Sequence, residues 1–136
     1  MILVRWIVLA AALLLSAPAA AQSCSFAGQK PMLVVQLFFG QDIAGRGQIS
    51  PAQWNLFSRR VLTPHFPDGF TVYDARGQWR DTQTMKIGRE RAKVVVIAVD
   101  ASKDVRADVE AVTRIYKKRF HQQSVGVVST PGCGAF

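Results

Sequence analysis

Three stretches of the chain are dense in apolar residues, and two others repeat them every third or fourth position. Met32 to Gly40, MLVVQLFFG, lies between Pro31 and Gln41. A run this continuous predicts a strand buried on both faces. Ala92 to Val99, AKVVVIAV, predicts another of the same kind. Phe70 to Trp79 alternates instead, with Phe70, Val72 and Asp74 on one side and Thr71, Tyr73 and Ala75 on the other, which predicts a strand with two different faces. Ser124 to Ser129, SVGVVS, predicts a short last strand before Thr130-Pro131-Gly132.

The helical signals fall between these runs. Ser50-Pro51-Ala52-Gln53 carries a cap, a proline suited to the first helical position and a glutamine where a capping box needs it. Trp54, Phe57, Val61 and Leu62 then share one helical face, and Thr63-Pro64 predicts the end, because a residue before proline avoids the α region. Asp100 to Asp104 offers caps for a second helix, on which Val105, Val109, Val112, Tyr116 and Phe120 form an apolar stripe. Gln41 to Ile49, with two glycines, predicts a loop, and the polar stretch Thr82 to Gly88 predicts a hairpin tip.

Strand, helix, strand, strand, helix, strand is the ferredoxin-like βαββαβ plan, an α+β fold with a four-stranded antiparallel sheet and both helices on one face. Its first and last strands are neighbours, so Cys24, ahead of the first, and Cys133, after the last, are expected to meet as a disulfide. Two free thiols, or a lipidated Cys24, are the alternatives. The apolar character of both faces of the central strands implies a cover for the side without helices. A second copy of the chain, sheet against sheet in a homodimer, is one such cover. The loop Gln41 to Ile49 with the N-terminal segment is the other.

The N-terminus sets the compartment. Arg5 is the only charge before Lys30, and Trp6 to Leu15 is an apolar run too short to span a bilayer comfortably. Pro18 and the small residues Ala19 and Ala21 follow, so residues 1–21 are expected to be a signal peptide and residues 22–136 a single domain, periplasmic or secreted, with no transmembrane segment after processing. A lipoprotein would need an aliphatic residue three before Cys24, and Ala21 stands there. Without residues 1–21 the chain keeps sixteen basic and nine acidic residues, a formal charge of +7. The basic residues are dispersed, and the one consecutive triplet, Lys117 to Arg119, ends a predicted helix, where the dipole favours cations. The charge is therefore expected to be a solvated surface and not a nucleic-acid interface.

Chemistry has few candidates. His65 and His121 stand on separate elements without a metal-ligand pattern, no nucleophile elbow is present, and Gly45-Arg46-Gly47 lacks the setting of a phosphate loop, so neither metal nor cofactor is expected. The central hairpin is richer. Trp79, Arg80 and Asp81 leave the second strand, and Arg89, Glu90 and Arg91 enter the third. With a tip near Thr84 these triplets are expected to face each other, Arg80 and Arg91 holding Asp81 and Glu90 beside a stacking tryptophan. Arginine matches carboxylate geometry and tryptophan offers a ring face, so the six residues are a candidate platform for a small anionic or polar ligand. Cross-strand pairing that fixes the hairpin register is the structural alternative.

Several segments together resemble a bacterial exported family catalogued as a domain of unknown function, number 3574. They are FFG, the Ser50 to Trp54 helix start, LTPHFPDGFTVYDARGQWRD (Leu62 to Asp81), RERAKVVVI (Arg89 to Ile97) and YKKRFHQQSV (Tyr116 to Val125). The resemblance implies a small secreted or periplasmic domain and supplies no catalytic residue. Two classes of function stay open: an envelope binding or structural protein, and a cofactor-free enzyme of the dimeric α+β barrel type using Arg80, Asp81, Glu90 or His65 as acid–base groups.

Overall fold

The computed structural model describes residues 24–43, 46–80 and 84–136; the expected signal peptide, residues 1–21, lies outside them. The continuous apolar runs become the two central strands, β1 (Lys30–Gly40) and β5 (Ile87–Asp100). The alternating segment becomes the edge strand β4 (Thr71–Arg80), and β6 (Gly126–Gly134) forms the other edge. The sheet order is β4-β5-β1-β6 and every pairing is antiparallel, so the fold is the expected ferredoxin-like one. Two short strands, β2 (Asp42–Ile43) and β3 (Gly47–Gln48), make a separate ribbon. Helix α1 (Pro51–Phe57) runs through a π-helical turn (Ser58–Leu62) into α2 (Thr63–His65), and α3 (Arg106–Phe120) follows β5.

One face of the sheet is sealed by the helices. Val35, Leu37 and Phe39 of β1 and Val95, Ile97 and Val99 of β5 share that face and are buried with Trp54, Phe57, Leu62, Val112, Tyr116 and Phe120. Tyr116 is the centre of an aromatic cluster, with ring centroids 4.6 Å from Phe39, 5.0 Å from Phe57 and 4.8 Å from Phe120. The other face is covered only at one end, where Met32 is buried near Phe136, and is otherwise open among the described residues. Phe38, Tyr73, Trp79 and Val128 are all exposed there. The segment after β1 packs on the helix side instead: Ile49 joins the core, and the Gln122 side chain donates to the Asp42 carbonyl at 2.6 Å.

The capping box at Ser50 forms as its sequence predicts, with Ser50 Oγ accepting from the Gln53 N–H and Gln53 Oε1 accepting from the Ser50 N–H. The helix continues past its expected end at Thr63-Pro64. Pro64 brings no N–H and its ring crowds the carbonyl four residues back, which breaks a regular α-helix. Here the widened turn comes first: the Thr63 N–H and hydroxyl both reach back to the Ser58 carbonyl. The rod ends at His65, whose Nδ1 lies 2.8 Å from Asp108 Oδ1 in the first turn of α3. The β2–β3 ribbon replaces an expected loop. Two-residue strands carry no periodicity of their own, and tertiary bonds such as Ile49 N–H to Gln41 O (2.8 Å) hold it.

Cys24 and Cys133 are joined as a disulfide, with Cα atoms 5.7 Å apart, beside the rung where Pro31 pairs with Cys133. The bridge closes 109 residues into a loop. Reduction, or Cys133→Ser, is expected to lower folding stability by about 2–5 kcal/mol, read as a fall in the urea midpoint. Equal midpoints with and without reductant would contradict this.

Candidate functional site

Beyond the core, β4 and β5 continue as a two-stranded arm, and alternation sorts its side chains. On the helix side, successive rungs are Val72 with Val95, Asp74 with Lys93, Arg76 with Arg91, Gln78 with Arg89 and Arg80 with Ile87. The intervening rungs, Tyr73 with Val94, Ala75 with Ala92, Gly77 with Glu90 and Trp79 with Gly88, face the open side. The expected facing of Trp79–Asp81 with Arg89–Arg91 is therefore displaced: Arg89, Glu90 and Arg91 stand opposite Gln78, Gly77 and Arg76. Arg89 and Arg91 point away from Glu90 and Trp79. Arg80 lies one rung further out, and Asp81 falls outside the described residues.

The arm and the β2–β3 ribbon enclose a cleft of about 450 Å³, lined by Arg76, Gly77, Gln78, Arg89, Glu90 and Arg91 from the arm and by Asp42 and Gln48 from the ribbon. Gln48 links the two. Its amide nitrogen donates to Asp42 Oδ1 at 2.9 Å and its amide oxygen accepts from Arg91 Nη2. Across the ladder Arg89 Nε donates to Gln78 Oε1 at 2.8 Å. One rung nearer the core, Asp74 and Lys93 pair directly, and Lys93 Nζ lies 6.0 Å from the Trp54 ring centroid.

On the open side Glu90 rests over Gly40. A Cβ on Gly40 would lie 2.7–2.9 Å from the Glu90 carboxyl, and one on Gly88 would lie 3.0–3.2 Å from the Trp79 indole. A side chain at Gly40 would push the Glu90 carboxyl aside, and one at Gly88 would press the Trp79 indole outward by a few tenths of an ångström. Burial pushes the Glu90 carboxyl above its ordinary range, opposed by hydrogen bonds from the Asp42 backbone and the Trp79 side chain. His65 sits at the other end of the sheet with Asp108, far from this cluster in the strand register. Among the described residues no group of three or more His, Cys, Asp or Glu is placed to hold a metal ion.

Of the six residues singled out in the sequence, Arg89, Glu90 and Arg91 line the cleft, Trp79 and Arg80 do not, and Arg76, Gln78, Gln48 and Asp42 line it without having been singled out. Counting by twos from Val72 and from Val95 would have placed Arg76, Gln78, Arg89 and Arg91 together on the core-facing side. Asp42 and Gln48 had no such signal, because the ribbon that carries them depends on tertiary contacts.

A model of the family described as "Protein of unknown function (DUF3574)" matches residues 35–136. No curated protein matches the chain in sequence. Among solved structures, a phage SAM lyase in complex with S-methyl-5'-thioadenosine is 11% identical with a TM-score of 0.57, covering 86% of this chain and 97% of that one. A phage SAM lyase in its apo state is 12% identical with a TM-score of 0.50, over 85% and 97%. CutA from Synechococcus elongatus is 5% identical with a TM-score of 0.49, over 77% and 80%. At these identities the likeness is one of fold.

The raised pKa of Glu90 makes a signed prediction. The folded protein holds this proton more tightly than the unfolded chain, so Glu90's ionisation costs stability as pH rises above 4.5, the ordinary value. Relative to wild type, Glu90→Gln is expected to gain melting temperature progressively above that pH. Parallel melting curves for the two proteins from pH 4 to 8 would show that the ionisation costs nothing.

Proposed function

The chain belongs to the DUF3574 family, and from that premise we propose that it is an extracytoplasmic binding protein, homodimeric through its open sheet face, that takes a small anionic ligand in the hairpin cleft. The observation that carries this reading is the cleft itself, about 450 Å³ and walled by three arginines. That volume lies within the usual range for small-molecule sites. A few convergent polar groups at the mouth of a rigid sheet are what such a site requires.

Two further features support the surroundings of the reading. A disulfide between Cys24 and Cys133 suits an oxidising compartment, and residues 1–21 read as a signal peptide that would deliver the chain there. No described helix is long and apolar enough to cross a membrane. The open face carries Phe38 at 39%, Tyr73 at 56% and Val128 at 47% exposure beside the partly buried Val34, Val94 and Val96. A second copy would remove that apolar surface from water.

An enzyme is the second reading, favoured by Glu90. A carboxyl whose pKa is raised by burial, at the margin of a cleft, is suited to general acid–base work. In this reading Glu90 exchanges the proton and the arginines hold the substrate's charge.

A thermal-shift screen of small anions, sugars and neutral metabolites tests the binding reading. Anionic ligands are expected to raise the melting temperature of wild type and to lose most of that effect in Arg91→Ala. Ligands that stabilise both proteins equally would remove the cleft from consideration. For the dimer, sedimentation equilibrium at micromolar protein is expected to give twice the monomer mass, and Val94→Glu in the middle of the open face is expected to return the monomer. A wild-type monomer at that concentration would end the dimer proposal.

A further inference from the structure

The three arginines of the cleft are positioned without being neutralised. On the rung next to the core, Asp74 faces Lys93 and the charges cancel. On the following rung Arg76 faces Arg91. Like charges directly opposed across a ladder work against the pairing, and here nothing relieves them: none of the ion pairs among the described residues includes Arg76, Arg89 or Arg91. Asp74 is held by Lys93. Asp42 and Glu90 also line the cleft but form no ion pair with its arginines: Asp42 accepts from the Gln48 amide, and the Glu90 carboxyl is held by the Asp42 backbone and the Trp79 side chain.

What does hold Arg89 and Arg91 is a pair of neutral amides, the carbonyl oxygens of Gln78 and Gln48. A carboxylate in either place would tie the side chain and cancel its charge. An amide ties it and leaves the charge, with most of the five N–H donors of each guanidinium still uncommitted. Electrostatic cost is thus concentrated on one wall of a cleft, where a ligand can relieve it.

We propose that this cleft binds a single tetrahedral group carrying two negative charges, a phosphomonoester, between Arg76 and Arg91, with Arg89 on its outer side. The proposal rests on the reading of the cleft as an anion site and names the class of ligand. Directly opposed residues have Cβ atoms about 5 Å apart, so one group between them is within reach of both guanidinium forks. A carboxylate has one charge and two oxygens and satisfies one fork. A phosphomonoester presents three terminal oxygens and close to two charges at neutral pH, enough for both forks. Arg89 stands two residues along the same face, about 7 Å away, within reach of an outer oxygen. The cleft, at about 450 Å³, exceeds what a phosphate fills and leaves room for the organic body that bears it.

Calorimetric titration of the whole protein at low salt tests the assignment, with glycerol 3-phosphate, inorganic phosphate and succinate as probes and flotation of phosphatidic-acid vesicles as a lipid arm. Glycerol 3-phosphate is expected to bind at least about tenfold more tightly than succinate, and to weaken about tenfold or more in Arg76→Gln and in Arg91→Gln. Arg114→Gln on α3, which removes the same charge away from the cleft, is expected to change nothing. Affinity is expected to rise between pH 5 and 7.5, as the second phosphate proton leaves near pH 6. Binding of the soluble ester assigns a free metabolite, and binding of vesicles alone assigns a lipid headgroup. Either supports the proposal. Succinate binding as tightly as glycerol 3-phosphate, with the same dependence on Arg76 and Arg91, would overturn the phosphate assignment and leave the cleft as an anion site. Anion binding that is absent, or unchanged in both arginine variants, would overturn both. A second measurement stands apart from ligands: Arg76→Gln relieves the opposed charges and is expected to melt no lower than wild type. A clear fall in its melting temperature would make Arg76 a structural residue and sink the proposal.

Discussion

The hydroxyl of Tyr116 decides where the central strand stops. It donates to the Gly40 carbonyl at 2.7 Å and accepts from Gln41 Nε2 at 2.8 Å, and the same amide nitrogen donates to the Phe39 carbonyl at 3.1 Å. Tyr116 and Gln41 are both buried, so each of these polar atoms would be costly without its partner. Burial accordingly pushes the Tyr116 phenol well above its ordinary range. With Gly40 and Gln41 fixed to α3, the chain must turn away from the sheet, and the Ile49 N–H closes on the Gln41 carbonyl. The second wall of the cleft, Asp42 and Gln48, is built on that turn. One hydroxyl inside an aromatic cluster therefore connects core packing to the geometry of the candidate site.

The hairpin arm uses the alternation of a strand to keep opposite chemistries apart. Arg89 and Arg91 project to the helix side while Glu90, between them, projects to the open side. Had all three shared a face, Glu90 would have neutralised its neighbours and the cleft would carry little net field. Glycines make the separation complete: Gly40 lets the Glu90 carboxyl lie flat against β1, and Gly88 lets the Trp79 indole lie flat against β5. The result is a cluster of arginines projecting from the helix side of the arm, with a partly desolvated acid from the other face at the margin of the same cleft.

Much of this was legible in the sequence where it depended on pattern. The apolar runs of β1 and β5 declared the central strands, Ser50 and Gln53 declared the start of α1, and element order alone brought Cys24 to Cys133. What depended on register was less visible. The turn residues after Arg80 carry no strong hairpin signature, so the facing of the two strands could be judged only within a few residues, and a shift of three exchanges Trp79 for Arg76 as the partner of Arg91. What depended on tertiary contact was invisible. The β2–β3 ribbon exists through Tyr116, Gln122 and Arg91, residues far along the chain. Pro64 misled for a related reason: a π-helical turn accommodates it, and composition does not announce such a turn.

The disulfide and the cleft occupy opposite ends of the sheet. Lys30, Asp100 and Gly134 gather at one end with Cys24 and Cys133, and β1 then runs eleven residues, about 35 Å, before Gly40 meets the arm. Both ends of the described chain leave from the bridged end. Any attachment ahead of Cys24 would thus hold the domain by its base and present the arginine wall outward, with the rigid sheet acting as a spacer. Because the bridge staples the N-terminal segment to β6, a pull on that attachment would load covalent bonds and the β1–β6 ladder before it reached the hairpin arm.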